Sequence, residues 1–220
     1  MKTLIVVPAR YGSSRFPGKP LAAIAGRSMV ERVAARARAA AKALNDADYV
    51  VATDDKRIAD HCAKQGLKSV MTDPALESGS DRALAAAETL SEMPEIIVNL
   101  QGDAPFTPVD YITRIVEALE TSGADAATPA IRLDWSALDA LRAAKRETPF
   151  SGTTCVFDAN GSALWFSKTI IPAIRKEKEL RANAPLSPVW RHVGLYGFRT
   201  NALRRFAALP PSRLETVEGL

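Results

Sequence analysis

The chain has 220 residues, of which 47% are hydrophobic and 25% charged, a balance that suits one soluble α/β domain or one domain with a small appendage. Its net charge of +4 comes from scattered Lys and Arg residues rather than from a basic block, which argues against nucleic acid and favours a small anionic substrate. Because no stretch approaches the ~20 apolar residues of a membrane span, and the N-terminal apolar run is too short for a signal peptide, we expect a cytoplasmic protein.

Four short apolar runs in the first part of the chain predict strands, over residues 3–7, 49–53, 68–72 and 95–100. Capped helical segments separate them. Ser28 and Glu31 form a capping box for a helix to about residue 44, and Asp55 caps a helix that ends near Gln65. Two further helices are predicted over residues 81–90 and 108–120. Continuous apolar strands alternating with helices predict a parallel sheet covered on both faces.

After Pro129 the sequence becomes richer in strand patterns. A helix is predicted over residues 134–146, and Asn160-Gly161 between two β-rich runs predicts a hairpin. Residues 171–188 are charged and contain prolines, which suggests an exposed excursion. One strand over 191–199 and a helix over 201–208 follow. We therefore predict a single domain over 1–220 with a doubly wound, mostly parallel α/β fold and a small β-rich insertion over 130–192.

The loop after the first strand, residues 8–20, is the strongest candidate for a binding site. It combines glycines that allow close backbone approach, hydroxyl groups, two cations and prolines that stiffen the loop. These residues are Gly12 and Gly18, Ser13 and Ser14, Arg15 and Lys19, and Pro17 and Pro20. The pattern is not a Walker loop. A flexible basic surface loop is the alternative, but this density of polar residues directly after a strand favours a polyphosphate-binding loop.

Two further polar segments follow predicted strands, where ligands of open parallel sheets bind. Gln101-Gly102-Asp103 places a carboxylate at a strand end, which suits Mg²⁺ when it lies opposite a phosphate-binding loop. The alternative is a turn in which Asp103 caps the next element. Ser78-Gly79-Ser80 could hold a base or ribose, with Arg82 nearby. The alternative, that Ser80 or Asp81 only caps a helix, fits the spacing as well.

The isolated cysteines and histidines are weaker candidates for a functional site than these segments. Cys62 and Cys155 are too far apart in sequence to indicate a disulfide framework or a zinc site, and we interpret them as buried free thiols. His61 lies in the middle of a predicted helix and is expected to face solvent. His192 precedes an apolar strand, where a single histidine is more often structural than catalytic. No Ser-His-Asp or Cys-His arrangement is evident.

Six segments, taken in order, resemble the family of 3-deoxy-manno-octulosonate (Kdo) cytidylyltransferases. The first is the Pro-Ala-Arg-x-x-Ser-x-Arg-[Leu/Phe]-Pro-x-Lys-Pro-Leu pattern over residues 8–21. The others are Val-Ala-Thr-Asp-Asp, Ser-Gly-[Thr/Ser]-[Asp/Glu]-Arg, Asn-x-Gln-Gly-Asp-Glu-Pro with one mismatch, Ala-Leu-[Tyr/Trp]-Phe-Ser-[Arg/Lys] and Arg-His-[Ile/Val]-Gly-[Ile/Leu]-Tyr. They match residues 51–55, 78–82, 99–105, 163–168 and 191–196. The resemblance covers nearly the whole chain.

The resemblance implies a nucleotide-diphospho-sugar transferase-like fold and transfer of CMP from CTP to Kdo or a related ulosonic acid, for lipopolysaccharide or capsule synthesis. Arg15, Lys19 and Asp103 would be catalytic, and Asp103 would bind Mg²⁺. The residues implied for the nucleotide are Pro8, Ala9, Arg10, Ser13, Ser14, Ser78, Gly79, Arg82 and Gln101; those implied for the sugar acid are Gln101, His192 and Tyr196. The resemblance also implies a homodimer, with residues 130–192 serving sugar binding and dimerisation.

The sequence departs from the family pattern at three places. Ala104 replaces a glutamate, which removes one carboxylate near the metal. Residues 149–154 differ from the usual lead into the hairpin, so the sugar acid stays open and a sialic-type acid is an alternative. The family pattern continues past Leu220 to an aspartate that is a second metal ligand, and we expect the given sequence to be shortened there. A CTP-binding paralogue without full activity is therefore the other hypothesis.

Overall fold

The computed structural model describes residues 1–12, 16–76 and 78–219. The chain forms two compact units. The first comprises Met1–Thr128 and Gly194–Leu209, and the second comprises Pro129–Val193 and Pro210–Leu220. In sequence, the main segment of the second unit is therefore inserted between the two segments of the first.

The strands of the described residues are numbered here along the chain. They are β1 Thr3–Ala9, β2 Ala23–Ile24, β3 Arg27–Ser28, β4 Ala47–Thr53, β5 Ser69–Met71, β6 Ile96–Leu100, β7 Ala126–Ala127, β8 Ala130–Asp134, β9 Thr154–Phe157, β10 Ala163–Ser167, β11 Leu186–His192 and β12 Leu195–Arg199. The helices are α1 Met29–Ala43, α2 Lys56–Lys64, α3 Gly79–Glu88, α4 Val109–Thr121, α5 Trp135–Glu147, α6 Glu177–Asn183, α7 Thr200–Ala207 and α8 Arg213–Glu218.

The first unit is built on a six-stranded sheet in the order β5-β4-β1-β6-β12-β7. The four strands β5, β4, β1 and β6 are parallel, and β12 runs antiparallel to both of its neighbours. The predicted mostly parallel α/β sheet is thus confirmed. The four predicted runs form its parallel part, and the central strands β1 and β6 are mostly apolar because helices cover both faces of the sheet.

Helices cover both faces of this sheet, as adjacent residues of β12 show. Phe198 belongs to the core cluster that contains residues of α3 and Leu203 of α7. Its neighbour Gly197 faces α4, where an added Cβ would lie 2.2 Å from Cγ2 of Ile115. Since successive residues of a strand point to opposite faces, α3 and α7 lie on one side and α4 on the other. The doubly wound arrangement follows directly.

The helix caps agree in part with the sequence-based predictions. Ser28 and Glu31 form the capping box of α1, and Asp55 caps α2, both as predicted. At α3 the cap is Ser78, whose side chain accepts from the Asp81 amide while the Asp81 carboxylate accepts from Ser78. The helix therefore begins earlier than the predicted residue 81, because Ser78 rather than Ser80 or Asp81 satisfies the first free amides.

The second unit contains a four-stranded antiparallel sheet in the order β10-β9-β11-β8. The predicted hairpin is confirmed, with β9 and β10 joined through Asn160-Gly161 and Gly161 at φ 85°. Helix α5 packs on the sheet through an apolar cluster formed by Leu133, Trp135, Leu138, Leu141 and Val189. The unit thus has an apolar core of its own.

The excursion predicted over 171–188 is mostly exposed, as expected, but it contains α6 and the start of β11, and Glu177 in it accepts hydrogen bonds from Arg142 and Arg181. One prediction for this region was wrong. The supposed strand over 191–199 is two strands, because β11 ends at His192 and β12 starts at Leu195 in a different sheet. A continuous β-rich pattern does not reveal which partner strands its two halves will find.

The structure also shows the surroundings of the two cysteines and of His61. Cys62 and Cys155 are free and buried, as predicted. The prediction that His61 faces solvent was wrong: the ring is mostly buried, with Nε2 2.9 Å from the Ser28 hydroxyl and 3.2 Å from the Glu31 carboxylate. His61 thus links α2 to the N-terminal cap of α1. Within the described ranges, no helix combines the length and apolarity needed to cross a membrane.

Candidate functional site

A cleft of about 630 Å³ opens in the first unit, at the carboxyl ends of β1 and β6 and the start of α3. This is the edge at which open parallel sheets bind ligands. The described residues that line it are Pro8, Ala9, Arg10, Gly12, Phe16, Lys19, Pro20, Met29, Gly79, Arg82, Gln101, Gly102 and Asp103. Three of these side chains are cationic and one is anionic, so the cleft is suited to an anionic ligand.

The loop after β6 touches the carboxyl end of β1 through its backbone. A Cβ atom added to Gly102 would lie 2.1 Å from the carbonyl oxygen of Pro8, the penultimate residue of β1. No side chain can be accommodated at that distance, so glycine is required there for the loop after β6 to lie against the end of β1. This close approach brings Gln101 and Asp103 to the same cleft as Arg10 and Lys19.

Lys19 and Asp103 form the most direct charge pair of the cleft. The Lys19 ammonium lies 2.6 Å from a carboxylate oxygen of Asp103. Gly18, at φ 71°, precedes a 3₁₀ turn over Lys19–Leu21, and Pro20 in that turn is buried. This turn fixes the backbone of Lys19 while its charged end stays at the cleft. The predicted phosphate-binding cation and the predicted metal ligand are therefore direct neighbours.

Arg82 is held behind the cleft wall by a set of polar groups. Its side chain is fully buried and donates to the Asp54 carboxylate at 3.0 Å, to the Thr72 hydroxyl and to the Leu76 carbonyl. Burial lowers the pKa of Arg82, while the Asp54 charge raises it and the nearby Arg10 lowers it further. Asp54 also lies 3.5 Å from Nε of Arg10. One carboxylate thus serves two guanidinium groups of the site.

Two buried polar atoms beside the cleft have no hydrogen-bond partner within the described part of the chain. They are Nε of Arg82 and Oδ1 of Asn99. The amide nitrogen of Asn99 donates to the Ser80 hydroxyl at 3.3 Å and lies close to Gly79, which lines the cleft. Buried polar atoms normally have hydrogen-bond partners, so these two atoms distinguish the contact between α3 and β6 from ordinary core packing.

The predicted nucleotide residues fall into three groups. Those in the cleft are Pro8, Ala9, Arg10, Lys19, Gly79, Arg82, Gln101 and Asp103. Ser78 is not among the described lining residues, and its hydroxyl takes part in the cap of α3. Ser13, Ser14 and Arg15 lie outside the described residues.

The remaining predicted sugar residues, His192 and Tyr196, belong to different units. In the second unit, the His192 ring contacts Phe166 edge-on at 5.1 Å, and burial, with a smaller effect of Lys168, lowers its pKa. In the first unit, Tyr196 pairs with Asn99 across β12 and β6 and stacks on Phe198. Burial raises the pKa of Tyr196.

Sequence reasoning gave no role to Asp54, although it lies in the Val-Ala-Thr-Asp-Asp segment. The available signal was its position just after β4, at the same sheet edge as the cleft. No cluster of three or more His, Cys, Asp or Glu side chains suited to a metal ion occurs in residues 1–12, 16–76 and 78–219. Asp103 is thus the carboxylate of the described cleft that is available to a cation.

Comparison with known proteins gives a consistent result. A family model described as "Cytidylyltransferase" matches residues 4–220. A 3-deoxy-manno-octulosonate cytidylyltransferase of Maricaulis maris is 44% identical over all of this chain and 82% of its own length. One from Anaeromyxobacter sp. is 39% identical with the same coverage. A solved structure of CMP:2-keto-3-deoxy-manno-octonic acid synthetase complexed with CTP is 31% identical, with a TM-score of 0.82 over 100% of this chain and 83% of that one.

Proposed function

The chain belongs to the cytidylyltransferase family, and from this premise we propose that it transfers CMP from CTP to Kdo or a closely related ulosonic acid, with release of pyrophosphate. The observation that carries the proposal is the cleft in which Arg10, Lys19 and Asp103 converge at the carboxyl edge of a parallel sheet. The 44% and 39% sequence identity to two Kdo cytidylyltransferases over the full chain supports CTP and the sugar acid as substrates.

The proposed chemistry needs no protein nucleophile. A hydroxyl of the sugar acid attacks the α-phosphorus of CTP in line, and pyrophosphate leaves from the opposite side. Arg10 and Lys19 bind the triphosphate and offset its negative charge, so that two anionic substrates can approach each other. The predicted roles of Ser13, Ser14 and Arg15 in the same loop, and of Gln101, His192 and Tyr196 with the sugar acid, are part of this proposal.

The residues of the cleft fit a divalent cation, and we propose Mg²⁺. The Asp103 carboxylate is half exposed and already binds a cation, the Lys19 ammonium at 2.6 Å. One carboxylate with phosphate oxygens and water is a donor set that Mg²⁺ prefers. When bound, the ion supplies positive charge to the triphosphate. With Asp103 holding the ion, the Lys19 ammonium would be available to the phosphates.

The proposal includes the cytoplasm as the place of action and a homodimer as the assembly, with residues 130–192 contributing to sugar binding and dimerisation. Ala104 favours one other candidate, a protein that binds CTP without turnover, since the family pattern has a second carboxylate at that position. Only the transferase turns CTP over, and pyrophosphate, released together with the CMP-sugar, is the product that distinguishes the two functions.

The test supplies purified protein with MgCl₂, CTP and Kdo and measures pyrophosphate release, with aminated Kdo and a sialic acid as further acceptors. We expect release with an ulosonic acid and its loss in D103N. The matched control is D110N, which changes an exposed aspartate of α4. CTP binding with no pyrophosphate from any acceptor would support the binding-only alternative, and no CTP binding would overturn the proposal.

A further inference from the structure

The loop over residues 8–20, termed the nucleotide loop, is contacted near its start by the Arg57 side chain of α2. The guanidinium carbon of Arg57, in the first turn of α2, lies 3.3 Å from the centre of the Tyr11 ring. A guanidinium over an aromatic face within about 6 Å is attracted by the electrons of the ring. Tyr11 directly precedes Gly12 of the cleft, but Tyr11 itself is not one of the described lining residues.

Arg57 is itself fixed in place. Its Nε and Nη2 donate to the two carboxylate oxygens of Asp55 at 2.9 and 2.7 Å. The same carboxylate caps α2 by accepting from the Arg57 amide at 2.9 Å. A paired, planar guanidinium loses little further freedom when it stacks on a ring. Hydrogen bonds to Asp55 at the N-terminus of α2 therefore hold the Arg57 guanidinium that stacks on Tyr11.

Tyr11 in turn supports the other end of the loop. The Gly18 amide donates to the Tyr11 carbonyl at 2.9 Å. A Cβ added to Gly18 would lie 3.1 Å from the Tyr11 ring and hydroxyl, so the ring lies directly against the Gly18 backbone. Lys19 follows Gly18 at once and carries the charge that faces Asp103. Lys19 thus directly follows a residue that lies against the Tyr11 ring, and the ring is stacked against Arg57.

We propose that Arg57, paired with Asp55 and stacked on Tyr11, is a positioning residue that holds Tyr11, Gly18 and Lys19 in place for CTP. The inference rests on the proposed function, since it assigns Arg57 and Tyr11 a share in CTP affinity. Neither side chain needs to touch the nucleotide. Their effect reaches it through Gly18 and Lys19, because residues held in place before binding lose less entropy on binding.

The experiment measures CTP affinity by calorimetry with Mg²⁺ for the parent protein and for R57Q, Y11L, Y11F and the double variant R57Q/Y11L. We expect R57Q and Y11L each to raise the Kd for CTP by about 3- to 30-fold, the range of a cation–π contact. Y11F keeps the ring and should stay within about twofold of the parent. The double variant should lose little more than either single variant, because both changes break the same contact.

The matched control is K56Q, which removes an exposed positive charge from the same turn of α2 without touching Tyr11. If R57Q binds CTP as tightly as K56Q, or if the two single losses multiply in R57Q/Y11L, the proposal is overturned. An effect of R57Q on the KM for CTP without a matching fall in kcat separates positioning from general damage to the fold.

A second readout is independent of the nucleotide. In the free protein, amide hydrogen exchange of Gly18 should be faster in R57Q than in the parent and unchanged in K56Q, because the Gly18 amide is bonded to the Tyr11 carbonyl. Should the parent fail to bind CTP, the proposed function fails, and this exchange rate still decides whether Arg57 holds Tyr11 and Gly18 in place. Equal exchange in R57Q and the parent would overturn it.

Discussion

Gly102 is the residue on which the shape of the cleft depends most directly. Its Cα faces the Pro8 carbonyl oxygen so closely that an added Cβ would lie 2.1 Å from that oxygen. The obstacle is backbone, so no rotamer change relieves it. Because it has no side chain, Gly102 therefore lets the loop after β6 lie against the end of β1.

We predict that G102A moves the loop after β6 away from the end of β1 and lowers turnover by about a hundredfold, since a misplacement of ~1 Å at reacting groups costs that much. Pyrophosphate release measures the effect. The control is G123A, because a Cβ at Gly123 meets nothing within 4 Å. Equal loss in both variants would show that the effect is not specific to the contact with Pro8.

The Asp54 carboxylate balances the positive charges of Arg10 and Arg82. Arg82 is fully buried, and Asp54 is its carboxylate partner at 3.0 Å. We predict that D54N lowers the free energy of unfolding by about 3 kcal/mol, because removing one partner of a buried ion pair leaves the other without compensation. Urea unfolding measures this. D60N, which changes an exposed aspartate of α2, should leave stability within about 0.5 kcal/mol.

Helix α6 shows how charged side chains can hold an element in place. Glu177 accepts from Arg142 and Arg181, and these hydrogen bonds lower the pKa of its carboxyl from 4.5 to about 2. Arg181 also binds Asp139 of α5. The helix has no buried residues, so these contacts rather than apolar packing attach it to α5.

A carboxyl whose pKa is lower in the folded state stabilises the fold above its unfolded pKa and ceases to do so as pH falls through its folded pKa. We therefore predict that hydrogen-exchange protection of the Ala184 amide, at the end of α6, decreases between pH 4.5 and about pH 2. E177Q should reduce this protection at neutral pH as well. The control E179Q changes an exposed glutamate, and protection as low as in E177Q would contradict the assignment.

The elements of the first unit were largely predictable because each carries its own signal. Strands β1, β4 and β6 are mostly apolar, and the sequence of α1 shows its capping box. The division of residues 186–199 between β11 and β12 was not predictable. Both halves have strand propensity, and only the available partner strands determine where the chain changes sheets.

At the scale of the whole molecule, a ligand that binds only the folded protein must stabilise it. We predict that CTP at a hundred times its Kd, with Mg²⁺, raises the free energy of unfolding by about 2.7 kcal/mol. Thermal unfolding with and without CTP measures this. GTP should give a smaller shift. An equal shift with GTP would indicate recognition of the triphosphate alone, and no shift would contradict CTP binding.

The sequence by itself determined the fold class, the family and most of the cleft. Strand periodicity and six ordered motifs are local signals, and Arg10, Lys19, Gln101 and Asp103 lie within them. Which of these side chains and backbone groups come into contact depends on the tertiary structure. The contact of Gly102 with Pro8, the pairing of Asp54 with Arg82 and the stack of Arg57 on Tyr11 join residues far apart in sequence. Such pairs form because the parallel strands end at one edge of the sheet, a property of chain topology rather than of any single segment.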